Sequence, residues 1–187
     1  MKKTLIGFLA VIVLVGSWAV GSYNGLVTMD VAVDESWSQV EVQYQRRFDL
    51  IPSLVETVKG VAGFEKDTYT AVTEARSAWA QAKESGDRGA QVAAGSSFDS
   101  ALSRLLVTVE NYPQLKANEN FSTLQAQIEG TENRVSVARR DFNQVVKPYN
   151  TKVKTFPTLL FAKLFGFDEE SFFESKAGSD EAPEIKF

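Results

Sequence analysis

Two basic clusters hold the side chains of this sequence best suited to chemistry. Arg46 and Arg47 are followed by Asp49, and Arg139 and Arg140 by Asp141. Asn133, Asn143 and Asn150 fall near the same helical face as the second cluster. Arginines in such groups can bind an anion or carboxylate through paired N–H donors. They can equally satisfy buried polar groups between helices and fix helix register. The structural role is favoured, since ion-pair networks are common in helical bundles.

Other chemistries find less support. The sequence has no histidine and no cysteine. It therefore lacks the usual general base, the commonest metal ligand, any thiol chemistry and any disulfide staple. A di-metal helical bundle needs Glu-x-x-His pairs and is excluded. No Ser-x-x-Lys motif with supporting residues suggests a serine nucleophile. Asp168-Glu169-Glu170 reads as a solvated acidic run in preference to a weak cation site. Trp37 and Trp79 read as core packing at helical spacing. No catalytic, cofactor or metal residue is assigned.

The elements that must position these residues begin with an anchor. No charge occurs between Lys3 and Asp30, and Thr4–Tyr23 is strongly apolar. Twenty helical residues span about 30 Å, the thickness of a bilayer's hydrocarbon core. A secretory signal has the same order, and Ala19-Val20-Gly21 resembles a cleavage site. The length of the run and the placing of Trp18 and Tyr23 as an aromatic belt favour an uncut anchor. Lys2 and Lys3 precede it, so the positive-inside rule places the N-terminus in the cytoplasm and the rest outside. The location expected is the bacterial cytoplasmic (inner) membrane, single-pass, with a periplasmic C-terminal part.

The formal net charge is -4. The tail from Asp168 to Phe187 carries seven acids against two lysines, which leaves the body near neutral. Such a chain is no electrostatic partner for nucleic acid.

Beyond the anchor the apolar periodicity is helical. Val33, Trp37, Val40, Tyr44, Phe48 and Ile51 recur at steps of three and four, and Phe98, Leu102, Leu105, Val109 and Tyr112 do the same. The longest stripe runs Leu124, Ile128, Thr131, Val135, Ala138, Phe142, Val145, Tyr149, Val153. The punctuation predicts helices over roughly 26–49, 53–84, 89–112 and 119–154, within a few residues at each end. Ser53 and Glu56 have capping-box spacing, and Asn118, Asn120 or Ser122 can cap the last helix. The apolar phase also continues through Pro52, so a kinked continuous helix turning at Gly60–Gly63 stays open. The expected fold is all-α: a transmembrane helix, then an elongated antiparallel four-helix up-and-down bundle. Its divisions are anchor 1–25, bundle 26–155, apolar juxtamembrane segment 156–167 and acidic tail 168–187. Trp37, Phe48, Phe98, Leu105, Leu124, Ile128, Val135 and Phe142 are the expected core. Phe156, Leu159, Leu160, Phe161, Leu164 and Phe165 are expected beside Trp18 and Tyr23 at the outer membrane interface, in competition with a lid on the bundle's end.

The sequence resembles the LemA family of bacterial membrane-anchored proteins. The likeness rests on Tyr23-Asn24-Gly25-Leu26-Val27, on Arg46 through Gly60 with Arg-Arg-Phe-Asp-Leu-Ile-Pro at its head, and on Glu110 through Asn118. Phe121, Glu132-Asn133, Arg139-Arg140, Asn143 and Tyr149-Asn150 complete it. Ser53 stands where the family usually has Asn, and Phe142 where it often has Tyr. The resemblance implies a transmembrane helix with an extracytoplasmic helical bundle and no established activity.

Three functions follow as expectations. The leading one is a non-enzymatic scaffold whose bundle binds copies of itself or other envelope or membrane proteins. The alternative is a sensor or adaptor that regulates a membrane enzyme, such as a protease, through helix contacts in the bilayer. The third, a hydrolase of envelope polymers, needs a cleft with paired carboxylates that the sequence does not offer.

Overall fold

The computed structural model describes residues 2–61 and 63–174, and within them every regular element is a helix. Helix α1, Lys2–Phe48, runs unbroken from the apolar stretch into the packed domain. Nothing between Leu5 and Phe48 is a proline, and from Asp30 on charged residues alternate with Val33, Trp37, Val40 and Tyr44, which form one buried stripe. Its first part is bare: Leu5 through Val15 present their large apolar side chains outward. This is the one helix among the described residues long and apolar enough to cross a membrane.

Pro52 explains the next break. It has no N–H to offer the carbonyl of Phe48, and its ring crowds that turn. The helix opens at Asp49 and Leu50 and resumes as α2, Ile51–Lys59, with Pro52 in its first turn. Leu54 N–H already bonds back to the Leu50 carbonyl at 3.1 Å, so the interruption is short. The full reversal comes after Lys59, where Gly63 has φ +84°. The predicted helix over 53–84 is therefore two helices. Ser53 lies inside α2 and caps nothing; the capping-box expectation fails because Pro52 moves the helix start to Ile51.

Helix α3, Lys66–Ser85, ends on Gly86 in the left-handed conformation that glycine alone adopts without strain. Asp87 then caps α4, Arg88–Val109, by accepting from Ala90 N–H at 2.9 Å. A short turn of helix, α5 at Pro113–Lys116, leads to α6, Glu119–Lys154. Asn118 caps α6 through Phe121 N–H at 3.1 Å. Pro148 lies inside α6 without ending it. Helix α7, Thr158–Phe165, follows, and an extended strap runs from Phe167 to Glu174. Residues 175–187, most of the expected acidic tail, lie outside the described residues.

Two long pairings dominate, α1 with α6 and α3 with α4, and α2 joins them by touching both α3 and α6. Arg47 meets Glu132 while Trp37 meets Phe142, so α6 runs antiparallel to α1. Lys83 meets Glu41 while Trp79 meets Phe48, so α3 is antiparallel to α1 too. Arg88 meets Asp34 while Asp99 meets Arg47, so α4 runs with α1. The core between them is aromatic: Trp37, Tyr44, Phe48, Trp79, Phe98 and Phe142 are all buried. Of the expected core, Leu124 is only half-buried, because Phe121 and Ile128 take the inward positions in the first turns of α6. At the far end Tyr112 donates to the Gly63 carbonyl at 2.7 Å, and its ring lies tilted against Phe64 at 4.9 Å.

Candidate functional site

Asp99 organises the centre of the packed helices. It sits on α4 between Gly95 and Leu102, on the apolar face, with its side chain 3% exposed. Arg47 Nη1 from α1 pairs with its Oδ1 at 2.7 Å, and Arg139 Nη2 from α6 pairs with its Oδ2. Tyr44 donates to Oδ2 at 3.3 Å and in turn accepts from Arg139. The second Arg47 nitrogen reaches Glu132, which is half-exposed. Three helices thus meet at one carboxylate.

The electrostatics favour closure over ligand binding. Two guanidinium groups face two carboxylates, so no net positive charge is left for an incoming anion. Arg47 also packs over Phe98, and Arg139 over Tyr44 and Phe173, which closes the guanidinium faces. Burial lowers the Arg139 pKa to about 10, which still leaves it charged at neutral pH. The Nε atoms of both arginines are buried with no hydrogen-bond partner among the described residues. Such a network fixes which faces of α1, α4 and α6 meet; it is poor evidence of added stability.

Gly95 makes the arrangement possible. A Cβ there would lie 2.6 Å from the Tyr44 hydroxyl and 2.8 Å from the Trp79 ring. Tyr44 and Trp79 stack with centroids 4.1 Å apart against the bare backbone of α4.

The polar residues expected to act together divide into three groups. Arg47 and Arg139 share Asp99. Arg46, Asp49, Asn133 and Arg140 are exposed and lie outside that cluster; Asp49 bonds Gln45, and Arg140 lies 3.5 Å from Asp141. Neighbours in a helix point about 100° apart, so one member of each Arg-Arg pair must face away. Asn143 and Asn150 hold the strap. Asn150 accepts from Glu170 N–H at 2.9 Å and donates to the Glu170 carbonyl at 2.8 Å. Asn143 does the same for Phe173, at 3.0 and 2.8 Å. The sequence reading missed Asp99, Gly95 and Arg88, and had Tyr44 only on the apolar stripe of α1. Asp99 had a visible signal, a lone acid on the stripe Gln91, Gly95, Phe98, Leu102.

The apolar residues gather at the other end. Phe161 meets Trp18 edge-on at 5.3 Å, and Phe165 meets Tyr23 at 4.9 Å. Leu159 and Phe161 are half-buried, whereas Phe156, Leu160, Leu164 and Phe165 are exposed. Leu160 and Leu164, four residues apart in α7, share one outward apolar face, and Phe156 is exposed in the turn before it. Among the described residues no group of three acidic side chains is placed to hold a metal ion.

Comparison with known proteins bears on the whole arrangement. The model of a family described as the LemA family matches residues 36–187. Magnetosome proteins MamQ 1 and MamQ 2 of Paramagnetospirillum magneticum are each 25% identical over 181 residues, covering 84% of this chain and 66% of the relative. Protein LemA of Metamycoplasma hominis is 24% identical over 156 residues, covering 83% of this chain and 70% of the relative. The chain thus spans slightly less than two thirds of the MamQ proteins' own length.

Proposed function

The chain belongs to the LemA family, and on that premise we propose that it is a non-enzymatic, membrane-anchored scaffold. In this reading α1 with α2, α3, α4 and α6 form an elongated antiparallel four-helix up-and-down bundle. The registers along α1 support it, since α3 and α6 run against α1 and α4 runs with it. The bundle is displayed outside the cytoplasmic membrane and binds copies of itself or other envelope proteins. One observation carries the proposal: α1 is a single helix from its bare apolar part to the buried charge cluster. A continuous helix holds the bundle at a fixed orientation to the bilayer, as a display platform requires. The apolar ridge of α7 lies beside the same end of α1 and offers a second membrane contact.

Chemical cross-linking in native membranes, with native mass spectrometry in detergent, tests the scaffold. Higher-order species or a stable hetero-complex are expected; a strictly monomeric, partner-free chain in both settings would sink it. A reporter fused after Phe187 tests the orientation and should be active only outside the cytoplasm.

The continuity of α1 also favours one runner-up, a sensor or adaptor that passes an external signal to a membrane enzyme through its anchor. Replacing residues 4–23 with an unrelated spanning helix separates the two. The scaffold survives that exchange, and the adaptor does not.

A further inference from the structure

The strap is bound as a peptide ligand is bound. Asn143 and Asn150 lie one heptad apart on α6, about 10.5 Å along its axis. Glu170 and Phe173 are three extended residues apart, about 10 Å. Each asparagine amide donates and accepts at once, the complement of one residue's carbonyl and N–H. Two such clamps at matched spacing hold an extended backbone whatever its sequence.

Side chains supply the selectivity. Glu170 pairs with Arg88 at 2.7 Å. Phe173 is buried in a cage, stacked on Trp37 at 5.8 Å, edge-on to Phe142 at 5.9 Å, and 4.7 Å below the Arg139 guanidinium. Ser171 and Phe172 between them are exposed and unread. The strap passes so close to α4 that a Cβ on Gly89 would lie 3.2 Å from the Ser171 hydroxyl. The groove therefore reads Glu-x-x-Phe in an extended chain. Besides the overlapping frame Glu169–Phe172, which lies one residue out of register, the motif recurs in one separate place, Glu184-Ile185-Lys186-Phe187.

We propose that the groove formed by Asn143, Asn150, Arg88 and the Trp37–Phe142 cage is a binding site for extended Glu-x-x-Phe peptides. Its own Glu170–Phe173 segment occupies it here, and the Glu184–Phe187 segment of a second copy takes its place in exchange. While Glu170–Phe173 is seated, Phe187 of the same chain has no cage to enter. Tail-to-groove contact is heterologous, so it links copies into rings or open chains and not into closed pairs alone. The peptide site stands on the geometry alone, whereas the second-copy source rests on the scaffold reading.

The test uses full-length chains in detergent. A Phe173→Ala/Phe187→Ala chain has lost both of its own anchors and leaves the cage open. Labelled peptides matching residues 168–174 and 181–187 are titrated onto it. Both should bind saturably, and each should weaken about ten-fold or more when Asn143→Ala and Asn150→Ala are added or when the peptide's Phe at position 173 or 187 is replaced by Ala. A Glu170→Lys/Phe173→Ala/Phe187→Ala chain, which also breaks the pair with Arg88, should behave alike. If neither peptide binds to acceptors that keep wild-type helicity and melting, the peptide site is overturned. If only the 168–174 peptide binds, the second motif is overturned as its occupant. Two differently tagged wild-type copies should co-purify, and Phe187→Ala in both should reduce that about ten-fold. Association that ignores Phe187→Ala overturns the second-copy source and leaves the scaffold standing. Copies that never associate overturn the second-copy source and the self-assembly part of the scaffold, while the peptide titration still reports on the groove.

Discussion

Gly95 has no room for a methyl group. Gly95→Ala drives its Cβ into the Tyr44 hydroxyl and the Trp79 ring, and overpacking of this kind costs about 1–3 kcal/mol. Gly130→Ala is the control: it lies exposed in α6 with nothing near its Cβ, and should gain about 0.5–1 kcal/mol. Urea denaturation of the two variants measures the difference. Asp99 is the other single residue on which the centre depends. Asp99→Ala leaves the buried Arg47 and the half-buried Arg139 without their shared counter-charge and should cost about 3–5 kcal/mol, whereas Arg140→Ala, at the surface, should stay within about 0.5 kcal/mol. The sequence named Arg47 and Arg139 but not their acid. Arginines in adjacent pairs attract notice by type, and type does not say which of the two faces inward. Asp49 and Asp141, the acids nearest in sequence, lie on exposed faces, while the true partner comes from another helix.

Helix periodicity located most elements because each buries one continuous stripe, as in Ile128, Thr131, Val135, Phe142, Tyr149 and Val153 of α6. Where backbone chemistry decides, it left the choice open between a break at Pro52 and a kinked continuation turning at Gly60–Gly63. The missing N–H of Pro52 opens the helix only briefly and the full reversal waits for Gly63, as the stripe passing Pro52 in phase allowed. It had nothing to say about the strap, whose hold on Asn143 and Asn150 runs through main-chain atoms. Within α6, Phe142 touches both Trp37 and Phe173, so Phe142→Ala should cost about 3–5 kcal/mol and loosen the strap with the core. The strap should also respond to pH. Burial raises the pKa of Glu170 above the ordinary carboxyl value; Arg88 opposes the shift, and Asp30 and Asp34 add to it. A raised folded-state pKa means the docked strap prefers the protonated acid. That contribution is fully present below the ordinary carboxyl pKa and is lost as pH rises through the raised value. Glu170→Gln removes the titration. Stability of the wild type relative to Glu170→Gln should therefore fall as pH rises through that window, and a flat difference would contradict the shift.

At the scale of the whole molecule, the apolar surfaces of α1 and α7 lie at one end and the charge cluster lies further along α1. Phe161 is level with Trp18 and Phe165 with Tyr23, so α7 runs alongside α1 in the same direction. Helix α6 arrives from the opposite direction and turns at Thr155–Pro157, beside Trp18 and Ser22. The α6–α7 turn is thus the part of the packed domain that reaches furthest back along the anchor. Under the proposed topology, with residues 4–23 filling the hydrocarbon core, Trp18 lies about 8 Å inside its outer boundary. The turn with Phe156 must then sit at that depth or deeper, with Leu160 and Leu164 of α7 facing lipid about 6 Å apart along the helix. Lys147 and Lys152, further back on α6, reach the headgroups. The absence of native cysteine makes the test direct. Single cysteines at Phe156, Leu160 and Leu164, spin-labelled in bilayers, should report decreasing depth in that order, and one at Ser136 should be open to water. Equal water access at all four positions would show that the segment merely closes the end of the bundle. A depth gradient would instead make α7 a second anchor that sets the tilt of the display platform.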